Sequence, residues 1–153
     1  YLSYEVRRRL GYPLRFVELA QEINNTMPEY VVDRAAERLN SEQKAISSST
    51  VLLLGVTYKP NIADQRESPS RPVATGFLKR GANVIFHDPF VSNWDLENGD
   101  KLDRVDNLDE ALQKADLVVM LQAHSSYDVP ALEANAKAFL DTTGRSLEAA
   151  NRI

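Results

Sequence analysis

The stretch VLLLGVTYKPNIADQRESPS, residues 51–70, decides the fold. Its first six residues are apolar without alternation, the pattern of a short strand buried on both faces of a parallel sheet. Lys59, Asp64, Arg66, Glu67 and Ser68 follow within a few positions, with Pro60 and Pro69 among them. From Pro69 to Arg80 the apolar residues recur at helical spacing, and Gly81 is placed to end that helix. Strand, long polar loop and helix make one βα unit. In an open parallel sheet the space beyond the carboxyl end of such a strand is where ligands bind.

Working outward, the same alternation continues. ANVIFHDP (82–89) reads as a second strand, and Asn107 starts a helix over LDEALQKA. LVVMLQ (117–122) reads as a third strand, Pro130 opens a helix to about Ala138, and FLDTT (139–143) reads as a fourth strand. Residues 146–153 offer a last helix, and residues 92–106 read as a surface excursion with Trp94 as loop packing. The order β-α-β-α-β-α-β predicts a three-layer α/β domain on a parallel sheet with right-handed crossovers.

Residues before about Asn40 follow another regime. A short helical piece, Tyr4 to Leu10, ends at Gly11, and Pro13 can open a second helix. Phe16, Leu19, Ala20, Ile23, Met27, Tyr30, Val31, Ala35 and Leu39 then recur at helical spacing. Pro28 lies inside that pattern, so a kink or break is expected near Asn24–Asn25. Serine-rich residues 41–49 connect the regimes. The expected division is therefore a helical region over 1–40 and an α/β domain over 41–153.

With 153 residues the chain can bury a core without staples. A net charge of −4 leaves no dominant basic face and argues against nucleic-acid or membrane-surface binding. Absence of cysteine excludes disulfides, thiolate metal sites and a cysteine nucleophile within these residues. No apolar run approaches the ~20 residues that span a bilayer. The opening YLSYEVRRRLG resembles no initiator segment, so a piece of a longer protein is expected.

The strand ends carry Lys59 to Ser68, Asp88, His124 to Ser126 and Thr142 to Arg145. GVTYKP lacks the second and third glycines that let a backbone approach a pyrophosphate, so any phosphate must be held by side chains. Lys59 supplies a point charge and Arg66 a planar fork, while Ser68 can cap the following helix. The same loop also reads as a solvated turn, Asp88–Pro89 as a capped turn, and Asp141 to Arg145 as a strand-to-helix connection. His87 and His124 lack the carboxylate spacing of a metal site. A phospho-acceptor signalling domain of similar order would need acidic residues where TYKP and QAHS stand, and is set aside.

At these residues the chain resembles the C-terminal region of the UDP-glucose/GDP-mannose dehydrogenase family. GVTYKPNIADQRESPS matches that family's G-x-x-[FY]-K-x-x-x-x-D-x-R-x-S segment, with Lys59 and Arg66 seven apart. LRFVELAQEINNTMPEYVV (14–32) is similar to its central helix, and HDPFV (87–91) and FLDTTGR (139–145) also fit. The resemblance implies a Rossmann-like UDP-binding domain behind a long, kinked interdomain and dimer-forming helix. It implies an enzyme that oxidises the C6 hydroxyl of a UDP-sugar to a carboxylate in two NAD-dependent steps. The NAD domain and the catalytic cysteine would lie upstream, leaving no catalytic residue here and an isolated chain without activity.

By position, Tyr58 and Lys59 match residues that hold the nucleotide sugar, and Arg145 matches a second phosphate-contacting arginine. Arg66 matches the arginine that reaches the NAD. Two departures stand out: DTTGR differs from the commoner D-G-R, and Gln21 replaces a frequent arginine. The loop's wording leans towards the N-acetylated hexosamine branch. Implied partners are a UDP-sugar and a second copy through the long helix, in the cytoplasm, without nucleic acid, membrane or metal. The competing reading is a dimerisation or assembly module that binds no nucleotide.

Overall fold

The computed structural model describes residues 14–96 and 99–153. The proposed helix Tyr4–Leu10, Gly11 and Pro13 lie outside the described residues. Helix α1 spans Arg15–Ser41 without interruption and contains Pro28. Of the kink or break expected near Asn24–Asn25, the break is not there. Proline removes one amide from the helical ladder, and a helix of 27 residues keeps its remaining bonds on both sides. Val31, Val32, Ala35 and Leu39, all beyond Pro28, are buried and anchor the second half of α1 on the sheet.

Four parallel strands form the sheet: β1 (Thr50–Leu54), β2 (Asn83–His87), β5 (Leu117–Met120) and β6 (Phe139–Asp141). Their spatial order is β2-β1-β5-β6. The registers pair Leu53 with Phe86 and Val119, and Val119 in turn with Leu140. β1 and β5 are apolar along their length because helices cover both faces. On one face α1 and α2 (Ser70–Lys79) pack through Val32, Leu39, Val73 and Phe77. On the other, α3 (Leu108–Lys114) and α4 (Val129–Asn135) pack through Leu112, Leu132 and Tyr127.

The helix ends carry the signals read from the sequence. Asn107 Oδ1 accepts from the Glu110 amide at 3.1 Å and starts α3. For α2, the Ala82 amide reaches Phe77 O at 3.1 Å and the Gly81 amide reaches Leu78 O at 2.9 Å, a Schellman closure.

Residues 92–106 require a correction. They contain an antiparallel hairpin of β3 (Asn93–Asp95) and β4 (Lys101–Asp103). Trp94 is fully buried in the main core, its ring centroid 5.3 Å from that of Phe86. Polar residues, Asn93 and Asp95, flank a single aromatic there, so strands of three residues leave almost no period to read. The C-terminal helix is also absent. Residues 149–151 make one 3₁₀ turn, and Arg152 forms a parallel bridge with Asp141.

Candidate nucleotide-binding edge

The order β2-β1-β5-β6 contains a topological switch. After β1 the chain crosses one face through α2 to reach β2, while after β5 it crosses the opposite face through α4 to reach β6. The loops leaving β1 and β5 therefore part over the carboxyl edge, the place where open α/β sheets receive ligands. At that point the backbones nearly touch. A Cβ added to Gly55, whose φ is +72°, would lie 2.1 Å from Gln122 O.

The loop from Gly55 to Pro69 rises over this edge. The Tyr58 amide donates to Asp64 O at 2.9 Å, and Gln122 Nε2 donates across the switch to Tyr58 O at 3.3 Å. Tyr58 and Lys59 are exposed beyond the strand end. Arg66 is also exposed, at 85%, and its Nε and Nη2 fork the Asp64 carboxylate at 2.9 and 3.0 Å. The bonds from Arg66 hold the Asp64 carboxyl down at about 2, so it remains an anion at any neutral pH.

Ser68 does not take the helix-cap position, which Pro69 occupies. Its buried hydroxyl instead donates to Val56 O at 2.9 Å, and its oxygen accepts from the Ser70 amide at 3.3 Å. It ties the returning end of the loop to the end of β1.

Arg145 is exposed on the turn after β6, two strands and about 10 Å across the sheet from β1. All four residues thus share one edge, but only Tyr58, Lys59 and Arg66 share one loop. A cleft of about 420 Å³ between α3 and α4, lined by Leu108, Leu112, Tyr127 and Leu132, contains none of them.

The Arg145 turn has its own scaffold. Asp141 Oδ1 accepts from the Thr143 amide and hydroxyl, each at 2.7 Å, and Oδ2 accepts from the Ser146 amide. Glu133 of α4 accepts from the Ser146 hydroxyl, the Leu147 amide at 2.9 Å and Asn151 Nδ2 at 2.7 Å. Burial pushes the Glu133 carboxyl up, but these donors outweigh it and hold it at about 2 against an ordinary 4.5. A carboxyl depressed in the fold stabilises above its unfolded value and loses that stabilisation as pH falls towards 2. Glu133→Gln is therefore expected to destabilise at pH 7 and to approach wild type near pH 3. Urea midpoints at the two values check this, and a difference independent of pH would refute it.

One constellation was missed in the sequence. Asp88 and His124 are both buried, with His124 Nε2 2.9 Å from Asp88 Oδ2. Asp88 Oδ2 also accepts from the Val56 amide at 2.8 Å, and Oδ1 accepts from the Phe90 amide at 2.8 Å. The second of these bonds is the capped turn expected at Asp88–Pro89. Asp88 and His124 are separated by 36 residues and end different strands, so no local spacing announces them. Beside them, the Tyr127 hydroxyl donates to His87 O at 2.8 Å and meets His87 Nδ1 at 3.0 Å. Burial pushes the Tyr127 hydroxyl up and, with Arg104 adding to it, pushes the His87 imidazole down.

Fold and edge together define a Rossmann-like domain with a polar, charged loop that carries Lys59 and Arg66 over its switch point. The chain belongs to the UDP-glucose/GDP-mannose dehydrogenase family: the family model for its UDP binding domain matches residues 52–145. A UDP-N-acetyl-D-mannosamine dehydrogenase of Methanococcus maripaludis is 32% identical over 113 residues, which are 74% of this chain and 24% of that protein. The crystal structure of an NDP-N-acetyl-D-galactosaminuronic acid dehydrogenase from Methanosarcina mazei is similar at 30% identity and a TM-score of 0.65. That match covers 77% of this chain and 24% of the other. A UDP-glucose dehydrogenase from Pyrobaculum islandicum shares the fold with a TM-score of 0.70 and 24% identity, over 97% of this chain and 35% of that one. The chain thus spans about a quarter to a third of the length of these relatives. Among the described residues no helix is long and apolar enough to cross a membrane.

Proposed function

We propose that the chain is the nucleotide-sugar-binding domain of an NAD-dependent UDP-sugar 6-dehydrogenase of the N-acetylhexosamine branch. The observation that supports this reading is the placement of Tyr58, Lys59 and Arg66 on one loop above the switch point. Lys59 neutralises diphosphate oxygens of the sugar nucleotide and Tyr58 packs beside them. Arg145 approaches the same ligand from the β6 side. Arg66 turns towards the NAD, which is bound mainly by a domain outside these residues and accepts hydride in both oxidation steps. Since no cysteine is present, the nucleophile that carries the acyl intermediate also comes from outside. In this reading residues 1–40 are the interdomain and dimer-forming region and 41–153 the UDP-binding domain, in a cytoplasmic enzyme.

UDP titrated into the chain by calorimetry tests the reading directly. Loss of one charge-assisted hydrogen bond costs about 1.5–3 kcal/mol, so Lys59→Ala is expected to weaken UDP binding roughly ten- to a hundredfold. Equal affinity in the variant, or no UDP binding by the wild type, would overturn it.

One observation favours an assembly role alongside the first. Phe16, Leu19, Ile23, Met27 and Tyr30 are all exposed along one stripe of α1. This stripe would pair with a second copy. Sedimentation of the wild type against Leu19→Glu and Ile23→Glu together is expected to show a dimer converted to monomer.

A further inference from the structure

We propose that His124 is a positioning residue for the nucleotide loop. Its Nδ1 lone pair holds the Asn61 amide and so fixes the left-handed turn that directs residues 57–66 over the edge. The Asn61 amide donates to His124 Nδ1 at 2.9 Å. A donor there must meet a lone pair, so the ring proton is on Nε2, which faces Asp88 Oδ2 at 2.9 Å and Thr57 Oγ1 at 3.4 Å. Asp88 is itself held by the Val56 and Phe90 amides. The imidazole is therefore fixed in both position and tautomer by the ends of β1 and β2.

Asn61 has φ +64°, a left-handed conformation that a β-carbon disfavours and that asparagine tolerates better than most residues. Its side chain points back to the same partner loop. Oδ1 accepts from the Ser125 amide at 2.9 Å and from the Ser125 hydroxyl at 3.0 Å. Three bonds thus tie the crest of the β1 loop to residues 124–125 across the switch point. Apart from these, the Gln122 bond to Tyr58 O, the Thr57 hydroxyl's bond to Lys59 O at 2.9 Å and the Tyr58–Asp64 turn, residues 58–63 stand exposed. A loop so exposed would pay its ordering entropy at every binding event unless it were held beforehand, and the clamp removes that cost. The consequence for nucleotide affinity rests on the UDP-binding reading. The clamp itself does not.

Two near-isosteric variants separate the bonds. His124→Asn places an oxygen where Nδ1 stands and keeps an acceptor for Asn61. His124→Gln places an amide near Nε2, keeping the donor to Asp88 and losing the acceptor. Asn61 amide exchange is expected to stay within a few-fold of wild type in the Asn variant and to rise at least tenfold in the Gln variant. UDP affinity is expected to fall about tenfold in the Gln variant and less than threefold in the Asn variant. Equal behaviour of the two variants would overturn the proposal. The wild type decides independently of whether either variant folds. Its ¹⁵N spectrum should show a bare Nδ1 coupled through the hydrogen bond to the Asn61 amide, and a protonated Nδ1 would refute the clamp. A wild type that binds no UDP would sink the nucleotide reading, while Asn61 exchange would still test the clamp.

Discussion

Replacing Gly55 with alanine is expected to be among the most damaging single-methyl changes in this chain, lowering stability by about 3–5 kcal/mol. Two costs coincide there. The residue has φ +72°, which an L side chain adopts at a penalty, and the new methyl would stand 2.1 Å from Gln122 O and 2.8 Å from Gln122 Cβ. Those atoms belong to the first residues after β5, whose amides at 121 and 122 both donate to Leu54 O, at 2.9 and 3.2 Å. Relief would require β1 and β5 to part at the middle of the sheet. Gly144 is the control. It has φ +73° but nothing within 4 Å of the added methyl, so Gly144→Ala should cost only the conformational penalty of about 1–2 kcal/mol. Urea unfolding of both variants tests the argument, which fails if they lose the same amount.

Asp88→Ala is expected to cost a similar total, about 3–5 kcal/mol, by a different route. It orphans the Val56 amide, the Phe90 amide and the ring proton of His124, the first and last of them deeply buried. Asp88→Asn should cost only about 1–2 kcal/mol. Its remaining oxygen can serve Val56 and His124, and the amide left facing its nitrogen is that of Phe90, an exposed residue. This ordering follows from a neutral imidazole. Should Asn prove as harmful as Ala in urea unfolding, this assignment of the Asp88 bonds would fail.

Much of the architecture was legible because its signals are local. Unbroken apolar runs at 51–56 and 117–121 identify buried parallel strands, and Asn107 and Gly81 mark helix ends through bonds spanning three to five residues. The GVTYKPNIADQRESPS segment carried the family because its spacing lies within one loop. The departures have separate causes. Trp94 was read as loop packing, yet its short hairpin folds back over Phe86, and strands of three residues leave no period that records that contact. At Pro28 a kink or a break was expected, and the ladder on either side of it carries α1 through without a break.

For the candidate site, the amino-acid order alone determined which side chains follow the first strand: Tyr58, Lys59 and Arg66 share one loop by covalent neighbourhood. Only the tertiary structure decided that this loop crosses a switch point. It alone brought Asn61, Asp88 and His124 together from three strand ends. Hydrogen-bond partners 32 to 67 positions apart are chosen by strand order in the sheet, and strand order is settled by how the helices share its two faces.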